Sequence, residues 1–314
     1  MLSKLFSNIK LGLSIWLILF SLALWSLTFY LNCPDCFSSF TTENWLEIGS
    51  VTILLITSLF LNSSIFNTFF RVTQNNYYAP LFVAIFVSWI SVPLSWETGL
   101  EILLISVFYL NTYNIFNGND DNQIGYHLTA GLLSLILTLL TPIGLGFLLL
   151  SIWQAAIDSH RGWRKFFLPL YSFAISFVIL LGVTFLLDYQ QTFITKFKFW
   201  DFYKLDTSAI KSNLIPVILT VALYLMAQKE YLKALRKAPI LKRKALSVLN
   251  IHFIITSTLY VLLGSKPEYL VAPLFALSVL FANYFQYLKK PLIKELIIWV
   301  SVAGGIISAS INLL

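Results

Sequence analysis

Charge is what this sequence lacks most. Asp, Glu, Lys and Arg make up 11% of its 314 residues, against about 25% in ordinary soluble domains. That scarcity excludes a chain that folds in water by wrapping a core in charged side chains. Histidine and cysteine are also scarce, at three and two residues. Two cysteines without nearby histidines supply only half of a four-ligand zinc site, so no metal site is expected. Most apolar runs have no acidic or basic residue at their middle, which argues against an ion-coupled pump. No soluble domain, simple repeat or small-residue cleavage pattern is visible. Lys4 and Lys10 precede a long apolar run, so the start reads as a retained signal anchor.

What the chain has instead is apolar length. The hydrophobic fraction is 58% and the mean hydropathy +0.80. Runs such as Leu11 to Leu31 and Phe166 to Leu187 carry no charge. Each reaches about 20 residues, enough to cross a hydrocarbon core of about 30 Å at 1.5 Å per residue. The chain is therefore expected to be an all-α polytopic membrane bundle with membrane lipids as its first partners. Sixteen of its 21 Lys and Arg residues cluster on one side of the ladder of runs. By the positive-inside rule that side is cytoplasmic. The net charge of +7 is explained in this way, and nucleic acid is not expected as a partner.

The same rule orders the spans. Leu11 to Leu31 leads out to Asp35, Glu43 and Glu47, and Ile48 to Phe70 returns to Arg71. Ala79 to Trp96 leads out to Glu97, and Leu100 to Phe116 returns to a polar loop, Asn117 to Gln123. Gly125 to Ile157 is too long for one span, and the basic loop after it, with His160, Arg161, Arg164 and Lys165, requires an even number of crossings. Two short helices of about 14 to 16 residues meeting near Pro142 satisfy that requirement. Phe166 to Leu187 leads out, and Ile210 to Ala227 returns to the basic block Lys229 to Lys244. Leu246 to Leu263, Leu270 to Leu288 and a last run to Leu314 complete eleven membrane helices. The N-terminus is then cytoplasmic and the C-terminus periplasmic.

Candidate chemistry lies on the outer face. Cys33 and Cys36 form a C-P-D-C sequence there, suited to a redox pair or to an incidental structural one. Among the acids, Glu101 is the most unusual because it lies about one turn inside its helix. A carboxylate there is costly unless it binds a metal, orients a hydroxyl or serves as a general base. Asp35 and Glu97 share that face, with Glu43 and Glu47 as weaker candidates. The loop Asp188 to Ser212 interleaves Phe193, Phe197, Phe199, Trp200, Phe202 and Tyr203 with Lys196, Lys198 and Lys204. Such a loop suits a lipid-linked phosphate or a plain interfacial anchor. His252, near Asn250, is expected to be a hydrogen-bonded interior histidine near the cytoplasmic end, with proton relay as the lesser option. The polar surface of Ser58, Asn62, Ser63 and their neighbours is expected to serve helix packing.

Several short elements carry a resemblance. Asn76-Tyr77-Tyr78-Ala79-Pro80, Asn111-Thr112-Tyr113-Asn114, Ala130-Gly131-Leu132-Leu133 with Thr141-Pro142, and Trp163-Arg164 resemble an uncharacterised family of Bacteroidota inner-membrane proteins, a domain of unknown function, over roughly Asn76 to Tyr189. The layout is also similar to that of the GT-C glycosyltransferases, polytopic enzymes that use polyprenyl-phosphate sugars. That resemblance implies Asp35 as base or metal-site residue, Glu97 or Glu101 as assisting acid, and a polyprenyl-phosphate-linked substrate. It divides the single membrane domain, 1–314, into GT-C-like helices over 1–187, an outer loop over 188–212 and C-terminal helices over 213–314. The first outer loop, about 16 residues, is short for such an enzyme, and Asp35 lacks an adjoining acid.

The leading expectation is thus an inner-membrane protein acting on lipid-linked sugars or envelope glycans. Asp35, Glu97 and Glu101 would be catalytic, and Lys196, Lys198 and Lys204 would neutralise the lipid phosphate. The alternative is a noncatalytic membrane subunit or scaffold with membrane-protein partners. A transporter and a thiol oxidoreductase using Cys33 and Cys36 rank lower, and the cofactor is unknown.

Overall fold

The computed structural model describes residues 11–32, 42–70, 77–90, 96–117, 120–158, 164–189, 191, 214–263 and 266–311. Among the described residues the regular structure is entirely helical, with eleven α-helices. They are α1 (Leu11–Asn32), α2 (Thr42–Ile65), α3 (Tyr78–Val87), α4 (Trp96–Asn117), α5 (Asp120–Leu140) and α6 (Gly144–Asp158), followed by α7 (Arg164–Leu186), α8 (Leu214–Lys237), α9 (Ile240–Leu262), α10 (Val271–Tyr287) and α11 (Pro291–Ile311). A π-helical turn, Phe66–Phe70, extends α2, and a 3₁₀ turn, Pro267–Leu270, leads into α10.

Among the described residues eight helical stretches are long and apolar enough to cross a membrane, and three apolar stretches are shorter, Ile15–Thr28, Tyr78–Val87 and Gly144–Ile157. The bundle has its large hydrophobic residues on the outside as well as within, as a lipid-solvated protein requires. Pro267–Tyr287 is the axis, with 89% of its apolar window buried, whereas only 6% of the Lys165–Leu186 window is buried. Around α10 stand α3, α8, α9 and α4; α5 packs between α7, α6 and α4, and α11 joins α1.

Four boundaries differ from the sequence reading. Ala79 to Trp96 is not one span: α3 stops after ten residues at Val87, a rise of only about 15 Å. Ser88, Trp89 and Ile90 then turn back on the residues three before them, and the irregular backbone is sheltered by protein, as membrane depth demands. Trp25 Nε1 donates to Ala84 O at 2.9 Å and Trp89 Nε1 to Ser301 O at 2.7 Å, tying this half-helix to α1 and α11. The polar stretch before the hairpin is not a seven-residue loop, because α5 already begins at Asp120. The hairpin is therefore unequal, 21 residues in α5 and 15 in α6, and α6 keeps the predicted short length. Finally, α8 runs on to Lys237 and α9 starts at Ile240, so most of the basic block is helix, broken at Pro239.

The elements place unlike charges at opposite ends. At one end Lys165 hydrogen-bonds Gln123 Oε1, Lys244 Nζ lies 5.7 Å from the Phe116 ring centre, and Lys294 Nζ lies over Tyr78 and Phe285. Glu97 and Glu101 lie at the other end of α4, with Lys266 and Glu268 at the start of α10.

Candidate functional site

The carboxyl singled out in the sequence is fully enclosed. Glu101 is 1% exposed, one helical turn below exposed Glu97 on α4. Thr141 Oγ1 donates to Glu101 Oε1 at 3.1 Å. Thr141 belongs to the hairpin tip, where Thr141 N donates to Leu137 O at 2.9 Å and Gly144 N to Thr141 O at 2.9 Å. The tip folds so tightly that a Cβ on Gly144 would stand 2.1 Å from Thr138 N. That turn carries the hydroxyl to the carboxyl across a sequence separation of 40. Half-buried Glu268 and buried Tyr269 lie within electrostatic reach of Glu101. Lys266 Nζ sits 5.8 Å from the Tyr269 ring centre. The arrangement is an acid ladder: Glu97 in reach of water, Glu101 sealed one turn deeper, Glu268 alongside.

A cysteine placed at each step reads out the ladder. With Cys33 and Cys36 changed to Ser, Glu97→Cys is expected to react with a membrane-impermeant maleimide. Glu101→Cys is expected to react only after denaturation, and equal labelling of the two would contradict the burial.

A second polar group sits halfway down α4. Tyr109 Oη and His252 Nδ1 share a hydrogen bond, and both residues are essentially without exposure, at 1% and 0%. The Tyr109 ring stacks on Phe275 at 5.4 Å, and Phe147 lies 4.7 Å from the imidazole. Among the described residues His252 Nε2 has no hydrogen-bond partner, nor does Asn62 Nδ2, which lines a narrow crevice together with Tyr109, Phe66 and Phe275. Further toward the basic end, Gln154 Nε2 donates to Thr112 Oγ1 at 2.8 Å and Asn111 Nδ2 to Tyr126 O at 2.8 Å.

Residues 1–309 match a family of unknown function, DUF6427. The chain belongs to that family. No curated protein and no solved structure matches it. Membership covers nearly the whole chain of this DUF6427 protein, well beyond the stretch from Asn76 to Tyr189 on which the resemblance was read.

Of the residues expected to form a site, Glu97 and Glu101 occupy adjacent turns of one helix. Asp35, Cys33, Cys36, Lys196, Lys198 and Lys204 lie outside the described residues. Among the described residues no cluster of three His, Cys, Asp or Glu side chains suits a metal ion. His252 is hydrogen-bonded inside the protein as expected, but it lies near the middle of α9 and not toward one end. Sequence reasoning missed Thr141, Glu268 and Tyr269 as neighbours of Glu101, and Tyr109 as the partner of His252. Only Thr141 left a trace, as the Thr-Pro step that breaks the apolar run. In α2 the packing expectation fits Ser58, Asn62 and Ser63, which are buried, while Ser50 and Ser64 face outward.

Proposed function

We propose that this DUF6427 protein is a multi-pass inner-membrane protein of GT-C-like layout that handles lipid-linked sugars at its acidic end, with the N-terminus cytoplasmic and the C-terminus periplasmic. The observation that carries the reading is the acid ladder of Glu97, Glu101 and Glu268 beside the Thr141 hairpin tip. Glu97 is the acid placed to meet an acceptor hydroxyl, because water reaches it. Glu101, one turn deeper, fixes the hairpin and orients the ladder. Asp35 supplies a second acid from the neighbouring outer loop, and Lys196, Lys198 and Lys204 neutralise the polyprenyl phosphate.

A positioned general base is worth about 10² to 10⁴ in rate. Cells carrying Asp35→Ala and Glu97→Ala are therefore expected to accumulate a lipid-linked sugar and lose an envelope glycan, with normal amounts of the protein in the membrane. Unchanged glycan and lipid-linked pools in those cells would overturn the catalytic reading. The second reading, a noncatalytic subunit, is favoured by the sealing of Glu101, whose hydrogen bond to Thr141 also serves as a structural tie. On that reading the alanines are silent, and a membrane partner copurifies from mild detergent.

A further inference from the structure

The basic end of the bundle presents a site shaped for a whole lipid molecule, at the start of α11. Lys289 and Lys290 are exposed on the connection from α10, and Lys294 follows one turn into α11. Lys294 does not swing free: its Nζ lies 5.5 Å from the centre of Tyr78 and 5.4 Å from that of Phe285. Those two rings meet edge to face at 4.8 Å, so they form one wall against which the lysine stem rests. A cation held over aromatic rings at the end of a span sits at headgroup depth. Below it, Leu292, Leu296 and Trp299 are 76%, 64% and 56% exposed. Their spacing places them along one stripe of α11, running from the lysines toward the middle of the bundle. Glu295 lies on the same turn but is half-buried and is coupled electrostatically to Tyr78. It leaves the lysine cluster with a net positive charge.

We propose that this surface seats an anionic phospholipid, its phosphate between Lys289, Lys290 and Lys294 and an acyl chain along Leu292, Leu296 and Trp299. The charge alone would suit a nucleic acid or an acidic protein segment. The long apolar stripe continuing from it is what selects a lipid, because neither of those partners has a hydrocarbon tail to lay there. The inference does not depend on the catalytic reading, since the site lies at the opposite end of the bundle from Glu97 and Glu101.

The test uses the full chain, delipidated in mild detergent, with phosphatidylglycerol and phosphatidylcholine of matched acyl chains added in turn. Retained lipid is counted by native mass spectrometry. Phosphatidylglycerol is expected to bind in preference. Each headgroup lysine near a membrane surface is worth about a fivefold change in affinity, so Lys289→Ala with Lys290→Ala should weaken phosphatidylglycerol about 25-fold. Phosphatidylcholine should be little affected, and Lys266→Ala at the other end should change nothing. Lys294→Ala also removes packing against Tyr78 and Phe285, but the exposed pair decides the matter even if that variant fails to fold. Equal binding of the two lipids to the unmodified chain would overturn the proposal, as would undiminished phosphatidylglycerol binding by the double variant. Loss of binding to both lipids equally in that variant would also overturn it, because the lysines would then be acting on shape and not on charge.

Discussion

Gly131→Leu is expected to abolish recovery of a monodisperse protein from detergent, whereas Gly182→Leu, on the helix that Gly131 packs against, is expected to behave like the unmodified chain. A Cβ at Gly131 would lie 2.2 Å from Pro169 O and 2.9 Å from Ser172 Cβ, while among the described residues a Cβ at Gly182 meets nothing within 4 Å. The first obstruction is backbone, so no rotamer change relieves it, and α5 and α7 must separate. Their separation also breaks the hydrogen bond from Ser172 Oγ to Leu128 O at 2.6 Å. Inside a bilayer no hydrophobic force drives helices back together, so association rests on close packing between small residues and on such interhelical bonds. α7 is especially dependent on this seam, because most of its remaining surface faces outward. Size-exclusion profiles and thermal midpoints of the two variants check the prediction. A folded Gly131→Leu with an unchanged midpoint would show that α5 and α7 are not in contact here.

The contrast between those two glycines shows what the sequence reveals and what it hides. Span positions are legible because crossing lipid requires uncharged length, and the clustering of lysines and arginines on one side orders the spans. Splitting Gly125 to Ile157 into two helices follows from the same charge reasoning, and α5 and α6 meet at Thr141-Pro142. Helix ends are less legible where polarity and helicity part company. Lys, Glu, Arg and Gln are good helix formers, so α8 continues through Gln228 to Lys237 long after its hydropathy has fallen. The half-helix α3 is hidden for the opposite reason. Its apolar run continues past the point where the helix stops, and hydropathy does not distinguish a helix from irregular backbone sheltered by neighbours.

The site divides along the same line. Glu101 stands out in the sequence because a carboxyl within a span is rare and expensive. Its surroundings do not stand out, because Thr141 and Glu268 come from elements far along the chain, and a threonine in an apolar run is unremarkable until a fold brings it to an acid. Likewise His252 is visible as an intramembrane histidine, but Tyr109 is one of 15 tyrosines and nothing local marks it as the partner.

Trp89→Ala is expected to lower the thermal midpoint in detergent by about 10 °C, with Trp89→Phe giving a clearly smaller loss. Trp89 has no exposure, and its ring meets Phe86 at 4.6 Å. Truncating a buried tryptophan to alanine costs about 3 to 5 kcal/mol in soluble proteins, part of it transfer from water and part the cavity left behind. In a bilayer the transfer part fades, because the separated helices are already in hydrocarbon. The cavity part remains, and a further cost arises from what Trp89 supports. It terminates α3 at a depth where free backbone groups cannot be hydrated. Its Nε1 donates to Ser301 O at 2.7 Å, and Ser308 Oγ donates back to Trp89 O at 3.4 Å. Gly305 makes room for this turn, since a Cβ there would stand 2.5 Å from Ser88 Oγ and 3.1 Å from Trp89 Cδ1. Phenylalanine keeps most of the volume and loses only the N–H, so its cost should be about 1 to 2 kcal/mol. If alanine and phenylalanine prove equally mild, the half-helix must be held mainly by α10 and by Trp25, and the anchoring role assigned to α11 falls.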